Sequence, residues 1–183
     1  MKYTIHSLFS DVIVFTPNVY GDERGYFLES YNQNIKDILN VDFLQDNHSK
    51  SHKYVFRGLH YHYDKPMGKL LRVINGKGIG VIVDIRKNSS TYSKYALIEL
   101  NDIDNNILWT PPGFAQGFLS LEDNTHLCYK CTTIRNEQCE GTIYVFDSNL
   151  KIDLKINKNN IILSDKDKQA DLFEIYNNNP KFI

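Results

Sequence analysis

Ten short apolar runs, each bounded by turn residues, constrain this chain more than any other feature. They cover 9–17, 25–31, 53–62, 68–74, 79–85, 95–100, 106–112, 116–121, 126–131 and 142–147. Segments such as NVYGDERG, INGKG, KNSS, LNDIDNN and LEDN separate them. Short strands at even spacing, with turns of that chemistry, predict an antiparallel all-β sandwich or barrel. Helices are expected in two places only. One is 33–39; the other runs from about 164 to 176, where Ser164-Asp165-Lys166-Asp167 opens like a capping box with Asp167 at the third helical position. No repeat or linker divides the 183 residues, so one domain over 1–183 is expected, a two-sheet jelly roll with peripheral helices.

Charge excludes some functions. Lys and Arg total 21 against 22 Asp and Glu, a net charge of -1. That balance gives no electrostatic case for nucleic acid or an anionic membrane. No run is long and apolar enough to span a bilayer, and no signal peptide is visible, so a cytoplasmic location is expected. The three cysteines are an odd number and argue against a disulfide framework. Cys128 and Cys131 form a CxxC, but inside a predicted strand, where positions i and i+3 face opposite sides. A redox pair belongs at a helix start.

The segment 54–84, YVFRGLHYHYDKPMGKLLRVINGKGIGVIVD, carries the chemistry. Strand alternation puts Arg57, Leu59 and Tyr61 on one face, and Gly58, His60 and His62 on the other. Two imidazoles on one barrel face mean a metal site or an acid–base site. Small jelly rolls that hold a divalent metal supply HxH, then Glu, then a third His after a PxG turn. Here Lys65, Pro66 and Met67 stand where the carboxylate should come, and the turn 111–116 ends in Gln116. Two ligands do not hold a catalytic divalent ion, and Lys69 would repel one, so no metal and no cofactor are expected.

What remains is a base, cations and hydroxyls. His60 can take a proton near neutral pH. Lys69 can stabilise an oxyanion, and Arg57 can do the same or grip a phosphate in bidentate fashion. Tyr129, sharing a strand face with Leu127 and Cys131, can give a proton from the opposite side. Together these are the parts for deprotonating carbon beside a ketone and reprotonating it on the other face. Structural readings stand beside each: a packed strand histidine, a snorkelling lysine, a core tyrosine, and an arginine paired with a carboxylate such as Asp84.

The motifs GDERGYFLESYN (21–32), FLQDNHSKS (43–51), FRGLHY (56–61), GKLLRV (68–73), VDIRKNSSTY (83–92), LWTPPGFAQGF (108–118), CYK (128–130) and LSDKD (163–167) occur in order. In them the chain resembles the dTDP-4-dehydrorhamnose 3,5-epimerase family, cupin-type and metal-free. The resemblance implies an isomerase of a nucleotide-diphosphate 4-keto-6-deoxy sugar, of the kind used in deoxysugar and polysaccharide biosynthesis. By it, His60 is the catalytic base, Asp167 the carboxylate that orients it, Lys69 the enolate stabiliser and Tyr129 the acid. Arg57 meets the diphosphate, and Gln45 and Asn47 line the pocket. Arg24 and Glu29 serve the partner subunit's site across a homodimer.

Three positions depart from the family pattern. Gln116 stands where His is usual. Ile134 and Arg135 occupy a stretch where two tyrosines are common, one stacking on the nucleobase, which leaves Tyr26 or Phe27 of the other subunit to stack. His62 stands where Gln is common and is read as contacting a substrate hydroxyl. Gln116 and Ile134 motivate an alternative: a single-centre epimerase or ketoisomerase on another nucleotide sugar, such as a GDP-linked one. A non-catalytic sugar-nucleotide-binding cupin is a further alternative.

Overall fold

A computed structural model describes all residues, 1–183. Thirteen strands follow in order: β1 (Lys2–Ile5), β2 (Ile13–Thr16), β3 (Val19–Asp22), β4 (Gly25–Leu28), β5 (Gln45–Ser51), β6 (Phe56–His62), β7 (Lys69–Asn75), β8 (Lys77–Asp84), β9 (Tyr95–Asn101), β10 (Ile107–Thr110), β11 (Phe114–Ser120), β12 (Thr125–Cys131) and β13 (Glu140–Thr142). The helices are α1 (Gln33–Leu39), α2 (Asp165–Lys168) and α3 (Phe173–Asn178). A six-stranded sheet, β1-β2-β10-β7-β12-β5, packs on a five-stranded one, β13-β6-β11-β8-β9. This is the two-sheet all-β architecture expected. No helix is long and apolar enough to cross a membrane.

Alternation along the strands divides the interior in two. Inward residues Leu71, Val73, Ile82, Leu108, Phe118 and Leu127 form an apolar cluster between the sheets. Outward residues of the five-stranded sheet, including Leu59, Tyr61, Val81, Val83 and Leu119, are buried under the C-terminal segment with Ile143, Leu150, Phe173 and Tyr176. Tyr176 anchors that segment by donating a 2.6 Å hydrogen bond to the Ile85 carbonyl. With both faces of this sheet covered, the inner one is free to host a polar cavity at the end the apolar cluster leaves unfilled.

Two expectations fail for identifiable reasons. The helix expected over about 164–176 breaks after Lys168, because Asp171 leaves it to pair with strand backbone: its N–H donates to the Thr142 carbonyl, and its carbonyl accepts from the Tyr144 N–H. Strict alternation along β6 also fails. Gln116 pairs with His60 but Phe118 pairs with Arg57, so Gly58 and Leu59 together oppose one residue, a β-bulge. The bulge resets the faces. Leu59 and Tyr61 go to the outer cluster, while Arg57 joins His60 and His62 on the cavity side.

Gly58 is required at this bulge. Its φ is 131°, and a Cβ there would lie 2.5 Å from Gly117 Cα and 2.7 Å from the Gln116 carbonyl oxygen. Both obstacles are backbone and cannot swing aside. Gly58→Ala is expected to lower stability by about 3 kcal/mol, read as a reduced urea midpoint. An unchanged midpoint would show that the strand tolerates a side chain there.

Candidate active site

Register assembles the cavity from both sheets. In the six-stranded sheet Gln45, Cys131 and Lys69 form one cross-strand row, and Asn47, Tyr129 and Leu71 form the next. In the five-stranded sheet His62 lies opposite Glu140, and His60 lies between Thr142 and Gln116. Between these walls is a cavity of about 390 Å³, closed at one side by Ser164, Lys166 and Asp167 of the α2 start. His60, Lys69, Tyr129, Asp167, Gln45, Asn47, Arg57, His62 and Gln116 all line it. His60 and Tyr129 stand on opposite sheets.

Asp167 does two jobs with two oxygens. Ser164 is the N-cap of α2, and its hydroxyl accepts from the Asp167 N–H at 3.1 Å and donates to Asp167 Oδ2 at 2.9 Å. Oδ1 accepts from His60 Nε2 at 2.7 Å. Burial alone would push this carboxyl up, but the His60 and Ser164 hydrogen bonds bring it below the usual carboxylate range. An ionised Asp167 fixes the hydrogen of neutral His60 on Nε2 and leaves the Nδ1 lone pair free.

Glu140, which lay outside the expected strands, faces that lone pair. Its Oε1 is 3.7 Å from His60 Nδ1, and its Oε2 binds Arg135 at 2.9 Å and Lys166 at 2.8 Å. Burial opposes its ionisation, yet the two cations and His60 hold it at about 2, against an ordinary 4.5. A carboxyl depressed on folding adds stability that is fully present above its unfolded value and is lost as pH falls through the folded one. Between pH 4.5 and about 2 the protein should therefore lose stability steeply, followed by circular dichroism in urea. Glu140→Gln should weaken the protein at neutral pH and flatten that loss. A variant with the wild-type pH profile would contradict the assignment.

Lys69 contrasts with these cations. No side-chain partner engages its ammonium, and burial lowers its pKa. The Tyr129 hydroxyl is half-buried, and burial raises its pKa, keeping it a protonated donor. Gln116 is buried and donates from Nε2 to Thr110 Oγ1 at 3.0 Å. Gln45 donates to Asn47 at 2.8 Å and accepts from the Arg135 N–H at 2.9 Å, which ties the following loop to the cavity rim. Arg57 is exposed at the mouth; it donates to Ser51 Oγ and the Lys50 carbonyl, not to Asp84. Asp84 is instead buried with Arg86, Ser89 and Thr91.

Arg24, Phe27 and Glu29 are not brought to this cavity. They lie on or just after the β3–β4 hairpin, a separate two-stranded sheet whose residues are nearly all exposed. Arg24 pairs with Asp22, and Glu29 accepts from Asn32. The CxxC splits as its strand position predicts: Cys131 lines this cavity, and Cys128 lines a smaller one of about 190 Å³.

The family model described as dTDP-4-dehydrorhamnose 3,5-epimerase matches residues 7–174. The chain belongs to that epimerase family. A family member of that name from Methanothermobacter thermautotrophicus is 42% identical over 159 residues, 85% of this chain and 86% of its own. The crystal structure of dTDP-4-dehydrorhamnose 3,5-epimerase from Elizabethkingia anophelis NUHP1 aligns at a TM-score of 0.89 and 38% identity, over 97% of this chain and 98% of that one. The dTDP-6-deoxy-D-glucose-3,5-epimerase of Legionella pneumophila Philadelphia 1, solved with dTDP-4-keto-L-rhamnose, aligns at 0.90 and 35% identity, over 95% and 94% of the two chains.

Proposed function

We propose that this protein is an isomerase that inverts C3 and C5 of a dTDP-linked 4-keto-6-deoxy sugar. The observation that carries the reading is His60, with Nε2 held by Asp167 and Nδ1 unbonded, 3.7 Å from Glu140 Oε1, at the wall of a cavity that also contains an unpaired ammonium. A ketone at C4 acidifies the hydrogens on C3 and C5. His60 Nδ1 takes one of them, and the C–H electron pair moves into an enolate whose negative oxygen sits at C4. The Lys69 ammonium stabilises that oxygen, and Asp167 stabilises the imidazolium. Tyr129, reaching from the opposite sheet, gives its phenolic proton to the other face of the carbon, which inverts the centre. Solvent then carries the proton from His60 back to Tyr129. No cofactor enters these steps.

Arg57 at the mouth is assigned to the diphosphate, and Gln45, Asn47 and Gln116 to positioning the ligand. The exposed hairpin suggests how Arg24, Phe27 and Glu29 act: they reach the cavity of a second copy in a homodimer. A monomer by sedimentation at assay concentration would remove that part. A cytoplasmic location, suited to a nucleotide-sugar substrate, is tested by cell fractionation. The substrate assignment is tested by offering dTDP-4-keto-6-deoxyglucose and its GDP-linked counterpart and identifying products by NMR. Epimerised dTDP sugar is expected. Turnover of the GDP compound alone would overturn the nucleotide assignment.

A further inference from the structure

Three buried side-chain nitrogens or oxygens in the whole chain lack a hydrogen-bond partner, and two of them are Nδ1 and Nε2 of one residue, His62. Its side chain is 5% exposed and lines the cavity two residues along the strand from His60. The third atom, Arg72 Nε, belongs to a guanidinium already bound to Asn105 and lies toward the other cavity. Buried polar groups in folded proteins are almost always satisfied, because water is lost and must be replaced. A ring at the wall of a ligand cavity with both nitrogens occluded and unpartnered is short of its partners.

We infer that His62 is a specificity-determining residue that holds a ring hydroxyl of the sugar, and that its two nitrogens are satisfied only when a hydroxylated sugar fills the cavity. This rests on the epimerase reading and deepens it. Burial, then the charge of Lys69, pushes the imidazole down to about 4, so it is neutral near pH 7. A neutral imidazole offers one N–H and one lone pair. The two nitrogens point to different sides of the ring, so each takes its own partner: a hydroxyl can accept from the N–H or donate to the lone pair, a ketone can only accept, and a methyl can do neither. His62 lies near both His60 and Lys69, so a sugar held between base and ammonium presents its ring hydroxyls to this imidazole. A site built to bond a hydroxyl rejects the analogue lacking it, since its own buried groups then stay unpaired.

The test uses the full chain and calorimetric titration with four probes: dTDP, dTDP-6-deoxyglucose, and the 2-deoxy and 3-deoxy forms of that sugar nucleotide. The wild type should bind the hydroxylated sugar at least about tenfold more tightly than one of the deoxy forms. His62→Leu should lose that difference while keeping its affinity for dTDP. His62→Gln, which keeps a donor and an acceptor, should retain most of it. The ligand-free His62→Leu protein should also melt at or above the wild-type temperature, since two unsatisfied nitrogens are gone; a residue needed only for packing would lower it. A discrimination that survives in His62→Leu, or its absence from the wild type, overturns the inference. If the wild type binds dTDP but neither binds nor turns over any dTDP sugar, the epimerase reading fails with it.

Discussion

His60→Asn is expected to lower turnover by about 10³-fold or more, the range a positioned general base supplies. The affinity for dTDP should stay close to the wild-type value, because the proposed role has the imidazole meet the sugar and not the nucleotide. Asn is chosen because its amide fills the inner part of the same space, although it ends short of Nε2 and gives up the bond to Asp167. It has no lone pair basic enough to take a hydrogen from carbon. The loss should therefore fall on kcat, with KM little changed. Equal losses in both, or a protein that no longer binds dTDP, would point to a structural role for the ring within β6.

The second large effect belongs to Lys69. Lys69→Met keeps the length and apolar stem but removes the charge, and it should cost about 10²–10³-fold in kcat, the size of an oxyanion contact. Lys69 has no protein partner to leave unpaired, and burial already disfavours its charged form. The variant should therefore fold at least as stably as the wild type. Loss of activity with gain of stability is the signature of a charge kept for chemistry. The lowered pKa adds a pH consequence: the ammonium deprotonates at lower pH than an ordinary lysine, so wild-type activity should decline earlier on the alkaline side. Lys69→Arg, whose guanidinium stays charged, should lose that alkaline limb if it retains measurable turnover. An unaltered limb in the Arg variant would assign it to another group.

Much of this could be read from the order of residues, and the exceptions have physical causes. Strands announce themselves as short apolar runs between turns, as β7, β8 and β12 do, even where both faces are buried as in β8. The strand β5 does not. In QDNHSKS, Gln45, Asn47 and Ser49 face a polar cavity while Asp46, His48 and Lys50 are exposed, so hydrophobicity has no period to find. The motif resemblance located that segment where periodicity could not. The bulge at Gly58 is equally silent in a two-residue pattern, and it moved Arg57 from the face shared with Leu59 to the face shared with His60. The Asp167 contact spans 107 residues and was expected only by resemblance; the local capping signal explained the aspartate without requiring it. Glu140 and Arg135 were missed because they lie near a short 3₁₀ turn and a three-residue edge strand, where no pattern ranks one charged residue above another. A carboxylate five residues from an arginine, between predicted strands, is the only local signal they carry, since Lys166 lies 26 residues further on.

The most direct measurement is proton NMR of dTDP-4-keto-6-deoxyglucose in D₂O, with wild-type protein and His60→Asn in parallel. The wild type should erase the C3 and C5 hydrogen signals by exchange, and the variant should leave both intact over the same interval. Exchange by the variant at the wild-type rate would contradict the account, whatever the fold and the family.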